Sequence, residues 1–130
     1  MRKRPAIITI EETRLGTDAS CVVTLAYENA QFYGRSMGSG EPSGRPRIVG
    51  EATLRAVEAV SDGVIDLTLE AVALTDMGGA VVALAQVGIA NNGNPNGTTL
   101  VGSAMVQEND PSKATVKAVL DALNRRLESL

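Results

Sequence analysis

A chain of 130 residues, of which 44% are hydrophobic, is long enough for one domain with a substantial core. The net charge of −3 argues against a nucleic-acid partner, and the absence of histidine removes the commonest general base and metal ligand. Because the single cysteine, Cys21, lies in an apolar run, we expect a buried thiol in a reducing, cytoplasmic setting. No signal peptide or apolar span is apparent, so we expect no membrane contact.

Runs of β-branched residues with partial alternation predict three strands in the first half of the chain. Turn residues around Gly16 and Asn29 separate these strands. The segment GSGEPSGRPR, from Gly38, then leads into a helix with apolar residues at helical spacing, which ends before Gly63. The predicted elements are strands at residues 6–13, 19–28 and 31–37 and a helix at residues 48–60.

The second half repeats this order of elements. The letters DMGG at residues 76–79 predict a hairpin turn, and NNGNPNG at residues 91–97 predicts a polar loop. Asp110 is a suitable cap for a last helix, and Pro111 stands where its missing N–H costs nothing. The predicted elements are strands at residues 64–75, 80–90 and 98–107 and a helix from residue 111.

Three pairs of segments are also similar in their letters. The pairs are VVTLAY and VVALAQ (59 residues apart, from residues 22 and 81), YGRSM and VGSAM (68 apart, from 33 and 101), and EATLRAV and KATVKAV (62 apart, from 51 and 113). Segments rich in Val and Ala can match by chance, but three matches in one order indicate an internal repeat.

We therefore predict an α+β fold, a tandem βββα-βββα repeat with a mostly antiparallel sheet and helices packed on one face. Residues 6–130 form a single domain of two pseudo-repeats, at about 6–62 and 64–130. Residues 1–5, MRKRP, are expected to be a flexible basic terminus; an arm that touches phosphate is the alternative.

The tail DPSKATVKAVLDALNRRL, residues 110–127, resembles the end of the C-terminal regulatory (dimerisation) domain of 2-isopropylmalate synthase and citramalate synthase. Domains of that family close with an acidic residue at a helix start, a run of small residues and Ala-Leu-Asn-Arg, here residues 122–125. That family is also a tandem of βββα units, and its second unit is similar to this chain at residues 81–86 and at Gly102. The sequence departs from it at residues 38–44, where GSGEPSG replaces a compact Gly-Asp-Gly-Pro, and in standing without the catalytic barrel.

The resemblance implies a non-catalytic regulatory domain that forms a homodimer and needs no cofactor. It also implies an amino-acid effector, leucine or isoleucine, bound between the βββα units near the dimer interface. Gly102, Asp110 and Ser112 lie in the matching segments and are candidate ligand-binding residues on that ground.

The glycine-rich segment before the first helix is the one place where the residues themselves indicate a binding site. Backbone N–H groups, a helix start and two guanidinium groups could hold a phosphate or carboxylate. A linker with solvated arginines is the competing interpretation. The candidate residues here are Gly38, Ser39, Gly40, Ser43, Arg45 and Arg47.

Little else in the sequence could support catalysis. Neighbouring residues of a strand point to opposite faces, so Glu11 and Glu12 do not converge as paired carboxylates. The two functional hypotheses are a regulatory domain that senses a small metabolite, and a structural or assembly protein without a small-molecule ligand.

Overall fold

The computed structural model describes the backbone of residues 4–91 and 94–128, and their side chains except at residues 91, 94–96 and 125–128. Each half of the chain has three strands followed by a helix, which confirms the predicted βββα-βββα order. The elements are β1 (Ala6–Leu15), β2 (Asp18–Tyr27), β3 (Ala30–Ser39), α1 (Arg45–Val60), β4 (Ile65–Met77), β5 (Ala80–Asn91), β6 (Asn94–Met105) and α2 (Pro111–Glu128), with a short 3-10 helix at Pro42–Gly44 before α1.

The strands form two separate antiparallel sheets, because only consecutive strands pair. Sheet 1 has the order β1-β2-β3 and sheet 2 the order β4-β5-β6. α1 packs on β2 and β3 and also reaches β4, and α2 packs on β5 and β6 and against α1. None of the described helices is both long and apolar enough to cross a membrane.

Alternation of side chains along the central strands supplies the core. On β2, Val23 and Leu25 point inward and are fully buried, as are Ala85 and Val87 on β5. On α2, the side chains of Val116, Val119, Leu120 and Leu123 are buried, and Cys21 is buried as expected. Burying each such Val or Leu side chain stabilises the fold by about 1.5–3 kcal/mol.

Two glycines set the distance between each helix and its sheet. A Cβ atom at Gly34 of β3 would overlap the backbone of Ala52 and Ala56 on α1. Gly102 of β6 has the same relation to Ala118 and Ala122 of α2. Glycine is required at both positions because the helix backbone lies where a side chain would begin.

These contacts define which positions of the two halves are equivalent. Gly34 pairs with Val23 and Gly102 with Ala85, so β5 follows β2 by 62 residues. β1 and β4 keep this spacing of 62 residues. The pairing of β1 with β2 is irregular between Ile7 and Thr9, and the pairing of β4 with β5 is irregular at the equivalent place, between Leu69 and Ala71. The helices lie 66 residues apart, and β3 and β6 lie 68 apart.

Of the three matches in the letters, only the one between β3 and β6 agrees with this geometry. The hexamers at residues 22–27 and 81–86 face opposite ways, because Leu25 is fully buried whereas Leu84 is 37% exposed. The match between residues 51 and 113 is displaced by one helical turn from the true equivalence. The repeat is thus evident in the strand order, the irregularities and the two glycines.

The starts of β6 and α1 were predicted wrongly by three or more residues. β6 begins at Asn94, so residues 94–97 belong to a strand rather than to the predicted loop, and residues 92–93 lie outside the described residues. Asn91 pairs with Asn94, and Gly97 takes a left-handed conformation (φ 69°), so strand pairing prevails over polar composition here. α1 begins at Arg45, since Pro46 is compatible with a first helical turn. Pro5, which the prediction placed in the flexible basic terminus, is buried.

Candidate functional site

Both helices begin at a single cleft, here called the interhelix cleft. Its volume is about 360 Å³, and its lining includes Arg45 from the start of α1 and Ser112 from the start of α2. Glu12, near the C-terminal end of β1, and Leu74 of β4 also line the cleft. Since helix N-termini carry partial positive charge, the cleft favours a negatively charged group.

Glu12 is the centre of the polar contacts in this cleft. The guanidinium of Arg45 donates two hydrogen bonds to its carboxylate, from Nε to Oε1 (2.5 Å) and from Nη2 to Oε2 (2.8 Å). The hydroxyl of Ser112 donates a third, to Oε2 (2.9 Å). One carboxylate therefore connects a strand of the first half with the helices of both halves.

These contacts shift the protonation equilibria around Glu12. The hydrogen bond from Arg45 lowers the pKa of Glu12; burial opposes this shift and the bond from Ser112 adds to it. The same pair raises the pKa of Arg45. Burial, with a smaller effect from the charge of Glu12, raises the pKa of the Cys21 thiol to about 11. Glu12 and Arg45 are thus both charged at neutral pH, and Cys21 is a neutral thiol.

The predicted glycine-rich segment forms part of the cleft wall. Ser39 and Gly40 line the cleft. The carbonyl of Gly40 accepts from Nη2 of Arg14 (2.5 Å), and its N–H donates to the carbonyl of Thr17 (2.8 Å). Ser39 Oγ accepts from the N–H of Glu41 (3.3 Å). The two bonds of Gly40 fix the backbone of the segment against β1 and the turn that follows it.

Of the nine candidate residues, four line the cleft: Ser39, Gly40, Arg45 and Ser112. Asp110 caps α2 as predicted, since its Oδ1 accepts from the N–H of Lys113 (3.0 Å).

Four other candidates lie away from the cleft. Gly38 packs on Ile48, and Ser43 is exposed in the 3-10 helix. Arg47 donates to the carbonyl of Leu69 (2.9 Å) in a separate groove, and Gly102 lies beneath α2.

Sequence reasoning missed Glu12, because its partners lie 33 and 100 residues away. The expectation that Glu11 and Glu12 point apart is consistent with the register, in which Glu12 pairs with the buried Cys21 and Glu11 with the outward Val22. A charged residue at an inward strand position was the available signal. Within the described residues, no three Asp, Glu or Cys side chains form a group that could hold a metal ion.

The two walls of the cleft differ in polarity although the halves are equivalent. Glu12 of β1 pairs with Cys21 of β2. Its equivalent in the second half is Leu74 of β4, which pairs with Ala83 of β5. Leu74 and the buried Ile48 supply an apolar part of the lining, in addition to the charged part at Glu12 and Arg45. Such a cleft can hold a small molecule that has a charged end and an apolar end. Neither a protein-family model nor a curated protein matches the chain.

Proposed function

We propose that this chain is a non-catalytic regulatory domain that binds an amino acid with an apolar side chain in the interhelix cleft. The observation that carries the proposal is the contact of Glu12 with Arg45 and Ser112, which spans the two halves beside an apolar wall. The resemblance to the regulatory domain of 2-isopropylmalate synthase and citramalate synthase supports the same class of ligand, leucine or isoleucine.

Each part of such a ligand has a counterpart in the cleft. Its carboxylate meets the N–H groups of Arg45 that do not bond Glu12, near the starts of the two helices. Its ammonium group meets the ionised carboxylate of Glu12. Its apolar side chain packs on Leu74 and Ile48. Because these groups come from both halves, bound ligand stabilises their mutual position.

Thermal unfolding in the presence of each of the twenty amino acids tests this proposal. A ligand that binds only the folded state raises the free energy of unfolding by about 2.7 kcal/mol at a hundredfold excess over its Kd. We expect the rise for apolar amino acids, leucine or isoleucine above all, and its loss in Arg45→Gln. Unchanged melting with all twenty would refute the proposal and favour the assembly protein without a ligand.

We also propose that the domain forms a homodimer through the outer face of sheet 2. The central row of that face is Ala73, Leu84 and Ser103, which are direct neighbours on the three strands. The equivalent row of sheet 1 is Glu11, Val22 and Arg35, with a charge at each end.

The distribution of charge favours the outer face of sheet 2 over that of sheet 1 as the surface that pairs with a second copy of itself. Val101 and Met105 extend the apolar part of this face and are 68% and 56% exposed. The carboxylate of Glu70 lies on the same face, where it accepts from Gln86 (3.0 Å) and Thr99 (3.1 Å). The chain carries a net charge of −3, so two copies approach most favourably through the part of this face around Leu84 and Met105, away from Glu70. Large Leu84 stands between small Ala73 and Ser103, so a second copy of the same face can interdigitate with it.

A further inference from the structure

Each half of the chain has a groove between two strand edges, with a helix as its floor. The first groove lies between β3 and β4 over α1 and has a volume of about 310 Å³. The second groove lies between β6 and β1 over α2 and has a volume of about 600 Å³. The spacings of 62 and 66 residues make Pro5 the equivalent of Leu67, and Asn124 the equivalent of Glu58.

In the first groove, side chains of α1 form hydrogen bonds with backbone groups at the edge of β4. Arg47 donates to the carbonyl of Leu69 (2.9 Å), and Arg55 donates to the carbonyl of Leu67 (2.8 Å). The N–H of Leu67 donates to Oε2 of Glu58 (2.9 Å). The polar groups of this groove are therefore occupied by bonds within the chain.

The second groove has no counterpart of the bond between Leu67 and Glu58. Pro5 stands in place of Leu67 and has no N–H to donate. The matching acceptor, Oδ1 of Asn124, is buried and has no hydrogen-bond partner in the described part of the chain. Buried acceptors without a partner are rare because their desolvation is uncompensated, so this atom requires an explanation.

Positive charge lines the same groove, about two and three helical turns before Asn124 on α2. Lys113 and Lys117 line the second groove one helical turn apart on α2. Neither ammonium group forms an ion pair with any residue of the described ranges. The nearby carboxylate of Asp121 accepts instead from the N–H of Ser103 (3.0 Å). Like charges at this spacing repel each other, and an anion between them removes the repulsion.

We propose that the second groove binds a small organic anion that also carries a hydroxyl or amino group. Lys113 and Lys117 hold its negative charge, and Asn124 turns its amide oxygen toward the groove to accept from the hydroxyl or amino group. The site is separate from the interhelix cleft, because no residue lines both.

Calorimetry on the full chain tests this site with two pairs of probe anions. In each pair, one member carries an alcohol hydroxyl group and the other does not. Citrate carries a hydroxyl beside its carboxylates, whereas tricarballylate has the carboxylates alone. Glycerol 3-phosphate and inorganic phosphate are the corresponding phosphate pair. We expect the hydroxyl-bearing member of the preferred pair to bind roughly fivefold tighter, the effect of one hydrogen bond.

Variants assign the binding to this groove. Lys113→Gln and Lys117→Gln should each weaken both members of the preferred pair about tenfold, while Arg35→Gln, which removes a charge from another surface, should not. Pro5→Leu supplies an N–H for Asn124, so it should abolish the preference for the hydroxyl and leave the charge contribution. Arg45→Gln should bind the probes like the unmodified chain, which separates this site from the cleft.

Three outcomes would overturn the proposal. One is the absence of binding by all four probes at millimolar concentration. Another is equal binding of both members of each pair by the unmodified chain. The third is binding that the two lysine variants do not weaken relative to Arg35→Gln, because a nonspecific attraction of anions would then suffice.

Discussion

Glu12 of β1 and Leu74 of β4 occupy equivalent positions in the two halves of the chain, and both line the interhelix cleft. One is a carboxylate held by Arg45, and the other is an apolar side chain. The fold is doubled, but its central cleft is not symmetric. A cleft with one charged and one apolar wall suits a ligand with two different ends, and this asymmetry is the basis of the proposed function.

Replacing Glu12 should change how stability depends on pH. The hydrogen bond from Arg45 lowers the pKa of Glu12 below its ordinary value of 4.5. The contact therefore stabilises the fold fully above pH 4.5, and this contribution is lost as the pH falls through the lower pKa of the folded state. We expect Glu12→Gln to be less stable than the unmodified chain at pH 7, with the difference shrinking below pH 4.5.

Urea unfolding at a series of pH values measures this difference. Glu11→Gln is the matched control, because Glu11 is on the outer face of the strand, whereas Arg45 bonds Glu12 on the inner face. A gap between the chain and Glu12→Gln that stays constant from pH 7 to pH 3 would contradict the stabilising role of the ionised carboxylate.

Alanine at either close-contact glycine should destabilise the fold strongly. The new Cβ would overlap helix backbone at Gly34 and at Gly102, and backbone cannot move aside as a flexible side chain can. We expect each of Gly34→Ala and Gly102→Ala to lower the free energy of unfolding by about 3 kcal/mol.

Gly44→Ala is the control for this pair, since a Cβ there meets Ser39 only at ordinary contact distance, 3.4 Å from its carbonyl oxygen. Chemical denaturation of the three variants gives the comparison. Equal stability of Gly34→Ala and Gly44→Ala would show that α1 can withdraw from β3 without cost, and the equivalence of the two halves would lose its physical basis.

The sequence was sufficient for the order of the elements and for the helix faces, because both depend on short-range patterns. Val49, Ala52, Ala56 and Val57 are buried as the helical spacing predicts, and turn residues mark the hairpins at Gly16 and Gly78. The predicted side-chain cap at Asp110 is also confirmed.

Features that depend on long-range pairing could not be found in this way. Val and Ala occur on both faces of these strands, so similar letters at residues 22–27 and 81–86 gave a register with opposite faces. Arg45 was a candidate because of its position at a helix start, but its partner Glu12 is brought close only by the packing of α1 on sheet 1. The strand at residues 94–97 depends on pairing with β5 rather than on its own polar letters.

A charge on the outer face of sheet 2 should prevent the proposed dimer. We expect Leu84→Glu to be monomeric in sedimentation equilibrium at concentrations where the unmodified chain is dimeric, because the two glutamates would face each other in an apolar contact. Val22→Glu places the same charge at the equivalent position of sheet 1 and should remain dimeric.

Opposite charges provide a stricter test of the same face. Val101→Lys and Val101→Glu should each weaken the dimer when alone, and a mixture of the two should restore association. A monomeric unmodified chain, or dissociation caused by Val22→Glu rather than by Leu84→Glu, would contradict this surface.

Calorimetric titration with L-leucine is the decisive measurement for a ligand site in the interhelix cleft. We predict one leucine bound per chain, no binding to Glu12→Leu, which puts the same apolar residue at both equivalent positions, and normal binding to Lys113→Gln, which lies in the second groove. If Glu12→Leu bound leucine as tightly as the unmodified chain, or if the unmodified chain released no heat with leucine, isoleucine or any other apolar amino acid, the claim would be contradicted.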